Sequence, residues 1–373
     1  MVAMINLPPW DSPFYAVATF LFGICVGSFL NVVIYRVPRG LSINQPKRSF
    51  CPSCKKEIPI SRNIPLLTWL IQWGKCAECK CSILSRYFWI ELLTGLLWLA
   101  CWYSFPNPLL AIFYMLLGAI ALVICAVDIE LMLIPRAFTI IAAVIALIGG
   151  ALMPERFGLL FTWKEGLAYS AFGLAIGWAA LWLVVLLGKV MFGKRNFSFE
   201  NTTPWELREP EEEDDEQEIC FVIDDEMILW SDIFFRKSDK LIVDGLTELN
   251  IDGSPRSAKL LEIRDTYILV DGEKLNIEEL KSLNGKTTSA TIPREAMGMG
   301  DVDLLAVLGA TFGAPSLLII VLFSCIFTIL IAFLGRLGFG KMIPFGPALI
   351  AGGVFWLLYG QSAWNWYMSI FVS

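Results

Sequence analysis

Two carboxylates, Asp301 and Asp303, open the apolar run of "AMGMGDVDLL" (296–305), directly after a Gly-Met-Gly. Asp128 and Glu130 close a second apolar run in "AVDIELMLIPR" (126–136), and Glu91 lies in a third. Burying an ionised group in hydrocarbon is expensive, so acids in such places are candidates for function. The chain has no histidine. That excludes Ser-His-Asp triads, His-ligated metalloprotease sites and any histidine base. Proton transfer must fall to Asp, Glu, Lys, Tyr or Cys. Residues two apart on a helix diverge by about 200°, so Asp301 and Asp303 cannot face one small site. Asp303 reads as an acid opposing the dipole at a helix start. Asp128 and Asp301 are expected at the same depth, at the ends of different helices, and Gly298 and Gly300 allow close approach there. Two carboxylates sharing a proton can activate water and protonate a leaving amine. Judged by residue type alone, the pair serves an ion or proton pathway in a transporter equally well.

The second chemical cluster is "CPSC" (51–54) with "CAEC" (76–79). Paired Cys-x-x-Cys motifs at this spacing can close a tetrahedral thiolate site from Cys51, Cys54, Cys76 and Cys79. Four sulfur ligands make a zinc ion structural, since no open position is left for substrate. Cys81 is a spare thiol beside them. Cys25, Cys101, Cys125 and Cys325 sit in apolar runs and read as packing residues.

These residues must be held by a membrane framework. Of the 373 residues, 56% are hydrophobic, with 14 tryptophans, and the mean hydropathy is +0.64. Such a composition points to a multi-pass membrane protein. Long apolar runs cover Phe14–Tyr35, Tyr87–Phe105, Leu109–Val127, Ala137–Met153, Gly166–Gly188, Pro315–Gly335 and Ile343–Tyr359, with a shorter one at Leu304–Ala314. The expected fold is all-α and polytopic with about eight transmembrane helices. No cleavable signal peptide stands out. From Arg36 to Arg86 there are ten Lys/Arg against two acids, Glu57 and Glu78. The positive-inside rule puts this loop in the cytoplasm and the N-terminus outside. Lys189, Lys194 and Arg195, then Arg336 and Lys341, mark further cytoplasmic turns.

Residues 196–295 are different material, with 25 acids and 11 bases against a net +8 elsewhere. They contain an acidic run, "EEEDDEQE" (211–218), that reads as a solvated linker. Alternating stretches with Asp-Gly turns, "KLIVDG" and "TYILVDGEKLNI", predict a small β-rich soluble domain inserted in the membrane protein. The expected organisation is a first helix (1–35), a basic tetracysteine loop (36–86), helices two to five (87–195), the acidic insertion (196–295) and the last three helices (296–373).

"GSFLNVVIYRVPRG" (27–40), the two cysteine motifs, "NIPLLTWL" (63–70), "SRYFWIELLTG" (85–95), "GMGD" (298–301) and "IPFGP" (343–347) together resemble the bacterial type IV prepilin peptidases. These are membrane aspartyl proteases of the Gly-x-Gly-Asp type. The resemblance runs collinearly through nearly all the membrane-embedded chain. It implies cleavage of the basic leader of type IV prepilins or type II secretion pseudopilins at the cytoplasmic face of the inner membrane. It also implies N-methylation of the new terminus with S-adenosylmethionine. It makes Asp128 and Asp301 the catalytic pair and the four cysteines a structural zinc loop. Prepilins and membrane lipid are the implied partners, and no nucleic acid is expected. The nearest alternatives are another Gly-x-Gly-Asp intramembrane protease and a carboxylate-dependent transporter. Three departures stand out. The family usually has lysine two positions after the second aspartate, where this chain has Asp303. It often has Pro-Asp after the first, where this chain has Pro135-Arg136. The minimal family member also lacks the insertion.

Overall fold

A computed structural model describes residues 13–46, 49–51, 53–59, 63–157, 162–208, 219–224, 226–234, 239–293, 298–335 and 343–372. The acidic run at 211–218 and the basic pair Arg336 and Lys341 lie outside them. The chain divides into two compact units, residues 1–181 with 299–373, and Trp182–Gly298.

The first unit is helical. Its elements are α1 (Pro13–Arg36), the short α2 (Leu67–Ile71), α3 (Arg86–Ser104), α4 (Pro108–Leu131), α5 (Arg136–Leu152) and the first part of α6 (Trp163–Phe192). After the second unit come α8 (Met299–Phe312), α9 (Ser316–Leu334) and α10 (Gly346–Val372). Among the described residues four helices are long and apolar enough to cross a membrane: α1, α4, α6 over Trp163–Lys189, and α9. The sequence pattern predicts about eight; the remaining apolar runs are helical, but α5 and α8 are short, at 17 and 14 residues.

Local chemistry sets the helix ends nearest the carboxylates. Asn107 accepts the Leu109 N–H at 2.9 Å and Pro108 fills the first helical position, so α4 starts cleanly. It ends at Met132, whose left-handed backbone (φ 51°) returns its N–H to the Asp128 carbonyl. Pro135 has no N–H to continue a helix and starts α5 in a new direction. Leu30, Val33 and Ile34 of α1, Ile90 of α3 and Val123 and Val127 of α4 bury one another in a shared core. At the other end of the bundle Ser170 and Arg156 both donate to the carbonyls of Ala146 and Ala310, tying α5, α6 and α8.

The second unit is a sheet of nine antiparallel strands: β1 (Lys194–Arg208), β2 (Cys220–Ile223), β3 (Glu226–Leu229), β4 (Leu241–Ile251), β5 (Ser254–Arg256), β6 (Leu260–Ile263), β7 (Tyr267–Val270), β8 (Glu273–Asn276) and β9 (Leu283–Pro293). A single helical turn, α7 (Trp230–Ile233), follows β3. The strand order is β3-β2-β1-β9-β4-β6-β7-β8, with β5 on β4. Asp252-Gly253 and Asp271-Gly272, all at positive φ, make the tight turns of the β4–β5 and β7–β8 hairpins. Trp205, Phe221, Leu241, Val243, Leu261 and Ile268 are each at most 2% exposed and form its core.

One strand departs from the sequence expectation. β1 begins at Lys194 and precedes the acidic run, pairing with both β2 and β9. Its sequence, "KRNFSFENTTPWELR", alternates at Phe197–Phe199 and Trp205–Leu207 but is broken by a polar stretch and a proline, so its pairing depends on neighbours distant in sequence.

Candidate active site

Of the five candidate acids named from the sequence, three have dedicated partners. Glu130 of α4 is paired with Arg86, whose Nη1 donates to both carboxylate oxygens. Glu91 of α3, 8% exposed, accepts the Leu66 N–H at 2.7 Å, which anchors the cysteine loop to the bundle. Asp303 faces Arg136, with Nε and Oδ2 3.5 Å apart. It is the fifth residue of α8 and stands beyond the first turn. The capping role expected for it from the sequence therefore does not apply; the cation on α5 claims it instead. Asp128 and Asp301 have no cationic partner among the described residues.

Those two are brought to one end of the bundle by the chain between α4 and α5. Asp128 is 5% exposed and accepts the backbone N–H of Gly346 at 2.9 Å, a contact between the last turn of α4 and the first residue of α10. Gly346 lies in the "IPFGP" motif and was not singled out by sequence reasoning as a contact of Asp128. A Cβ at Gly346 would stand 2.6 Å from Asp128 Oδ2 and 3.1 Å from Ile134 Cδ1. A Cβ at Gly300, the neighbour of Asp301, would stand 2.7 Å from Ile134 Cβ. Ile134 is thus wedged over both glycines, and the starts of α8 and α10 close on the end of α4 around it. Through Ile134 the end of α4 that carries Asp128 and the start of α8 that carries Asp301 are thus joined. An apolar cleft of about 120 Å³ begins one helical turn from each, lined by Ile124 of α4, Leu304 and Leu308 of α8, and Ile350 and Gly353 of α10.

The cysteine loop forms two similar knuckles. The Lys55 N–H returns to the Cys51 carbonyl at 2.8 Å, and the Lys80 N–H to the Cys76 carbonyl at 3.0 Å. Lys55 and Lys80 both adopt positive φ, 57° and 60°, which turns each chain back on itself. An ion pair from Lys56 to Glu78 links the knuckles at 3.1 Å. The sulfurs of Cys51, Cys54, Cys76 and Cys79 all lie within 4.8 Å of one another. The N–H of Cys54 is the main influence holding the Cys51 thiol down at about 6. The N–H groups of Cys79 and Glu78 lower Cys76 similarly. The Cys81 side chain heads the causes that push Cys79 up to about 11.

This donor set fits zinc. Zn–S bonds near 2.3 Å in a tetrahedron require sulfurs about 3.8 Å apart, and Cys51 and Cys79 stand at 3.8 Å. Cys81 lies 3.5 Å from Cys51 and 3.1 Å from Cys79. The second gap is too short for both Cys79 and Cys81 to ligate one ion at that bond length.

Comparison with known proteins bears on the family. The family model for the bacterial peptidase A24 N-terminal domain matches residues 21–105, and that for the type IV leader peptidase family matches residues 283–333. Three similar proteins are each called a prepilin leader peptidase/N-methyltransferase. The one from Myxococcus xanthus is 37% identical over 49% of this chain and 58% of its own length. The one from Dichelobacter nodosus is 30% identical over 48% of this chain and 68% of its own. The one from Aeromonas hydrophila is 30% identical over 49% of this chain and 79% of its own. No solved structure matches. About half of this chain has a counterpart in each relative, and at 30% identity or more it covers over two thirds of the second and third. The chain belongs to the type IV leader peptidase family.

Proposed function

We propose that this chain is a membrane aspartyl endopeptidase that removes the basic leader from type IV prepilins or type II secretion pseudopilins. The observation that carries the reading is the pair Asp128 and Asp301, gathered at one end of the bundle with no cationic partner among the described residues. One ionised carboxylate accepts a proton from water as its oxygen attacks the scissile carbonyl. The other, protonated, hydrogen-bonds the carbonyl oxygen and later gives its proton to the leaving amine as the C–N bond breaks. Gly346 supplies a backbone donor that fixes the Asp128 carboxylate, and the apolar cleft suits the hydrophobic segment beyond the cleavage site.

The relatives' names extend the activity to N-methylation of the new terminus. S-adenosylmethionine would supply the methyl group. Strand pairings in the β unit are all antiparallel, so among the described residues no glycine-rich strand–turn–helix cradle marks its place. In the same reading α1, α3 to α6 and α8 to α10 are the eight membrane helices, in the bacterial inner membrane. The N-terminus lies outside, and the tetracysteine loop (36–86) and the insertion (196–295) are cytoplasmic. Zinc on Cys51, Cys54, Cys76 and Cys79 holds the loop's shape and takes no part in hydrolysis.

Co-expression with a prepilin tests this reading, with leader removal and terminal methylation read by mass spectrometry. A processed, methylated pilin is expected. An unprocessed prepilin beside well-expressed protein overturns it, and ion flux without cleavage would point to a transporter.

A further inference from the structure

We propose that Arg136 and Asp303 form an electrostatic clasp that fixes the start of α8 against the start of α5 and so keeps Asp301 turned toward Asp128. The inference rests on the catalytic reading above. Arg136 is the first residue of α5 and its Nε stands 3.5 Å from Asp303 Oδ2 on α8. Asp301 and Asp303 point about 200° apart around the helix. A tether on the Asp303 side therefore controls where the opposite side, with Asp301, faces. The far half of α8 is held by its own packing, with Ser170 and Arg156 on the Ala310 carbonyl and Gly309 close against Gly173, so the clasp acts on the first turn, where Asp301 stands.

The clasp acts on the same segment that builds the site. Ile134, wedged over Gly300 and Gly346, is only two residues from Arg136. The connection from Met132 to Arg136 starts four residues after Asp128. One end of the clasp is thus tied through Ile134 to the glycine that holds Asp128, and the other end is two residues from Asp301. The pair also joins the two departures noted in the sequence: an acid stands at 303 where lysine is usual, and a cation at 136 where aspartate is common. The resemblance implies the opposite charges at these positions, and an attraction between two points survives exchange of its poles. The Arg136 side chain is 69% exposed and that of Asp303 23%, so either can be substituted without opening a core.

Four full-length proteins test the clasp: the parent, Asp303→Lys, Arg136→Asp and the double exchange. Each single change should lower kcat for prepilin cleavage about tenfold with KM held within about twofold, because alignment is lost and binding is not. The double exchange should return kcat to within about threefold of the parent. A double variant as slow as the slower single overturns the clasp, as do singles that cut at the parental rate. Thermal midpoints of the same four proteins in detergent read the pair without substrate. The double should melt above both singles, and additive losses overturn the clasp. A parent that cuts no prepilin defeats the proposed activity, while the thermal cycle still decides the clasp.

Discussion

The backbone N–H of Gly346 donates to Asp128 Oδ2 across 218 residues of sequence, at 2.9 Å. The bond requires the start of α10 to approach the carboxylate more closely than any side chain at 346 allows. The absence of a Cβ, and not conformational freedom, is what glycine supplies there.

Gly346→Ala should therefore cost cleavage heavily while leaving the bundle folded. Its Cβ would meet Asp128 Oδ2 at 2.6 Å and press on Ile134 Cδ1 at 3.1 Å, so helix start and carboxylate must part. A loss of about a hundredfold in kcat/KM is expected, in line with misplacing a catalytic group by about an ångström. Quantitative leader cleavage in membranes checks it. Parental activity in Gly346→Ala would show that the bond plays no part in the reaction.

Asp128→Asn and Asp301→Asn should each abolish leader cleavage with the protein still inserted, because an amide cannot exchange the shared proton. Asp303→Asn should lose at most a few-fold, since it removes an attraction without creating a repulsion. Immunoblots for pilin processing beside membrane levels of each variant separate the outcomes. Full cleavage by either of the first two would refute the catalytic pair.

Much of this framework was legible in sequence because it is local. The apolar runs gave the positions of the long helices, Asp-Gly pairs gave two hairpin turns, and Cys-x-x-Cys spacing marked both knuckles. What was hidden depends on partners far along the chain. Glu91 and Glu130 read as candidate acids in sequence, but the Leu66 N–H and Arg86, both distant along the chain, claim them. β1 is not legible in the sequence because β2 and β9 on either side supply its pairing. The charges at 136 and 303 were visible as oddities, but their pairing needed the turn at Met132 and Pro135 to bring α5 beside α8.

Glu91 leads to a prediction about the cysteine loop. Leu66 holds a left-handed backbone, φ 60°, unusual for a branched side chain, and its N–H is bound to Glu91. Glu91→Leu leaves that N–H without its acceptor, at a cost of about 1–3 kcal/mol. Glu91→Gln keeps an acceptor oxygen in place and should be milder. Hydrogen exchange by mass spectrometry over residues 63–74 should quicken in Glu91→Leu well before the helices respond. Equal exchange in both variants and the parent would mean the loop is anchored elsewhere.

The tetracysteine loop gives the last expectation, and Cys81 sharpens it. The purified protein should carry about one zinc per chain, held by four thiolates. Cys51→Ser removes a buried thiol whose sulfur already sits 3.8 Å from Cys79, so zinc content should fall and the loop should become sensitive to protease. Cys81→Ser should retain the metal, because at 3.1 Å from Cys79 its sulfur is too close to share the ion with it. In the Cys79→Ser variant that obstruction is gone, and Cys81, 3.5 Å from Cys51, can move in as the fourth ligand. Cys79→Ser should thus keep more zinc than Cys51→Ser, and the Cys79→Ser/Cys81→Ser double should keep as little. Metal analysis of the four variants after dialysis against a mild chelator decides it. Zinc loss in Cys81→Ser alone would make Cys81, and not Cys79, the fourth ligand.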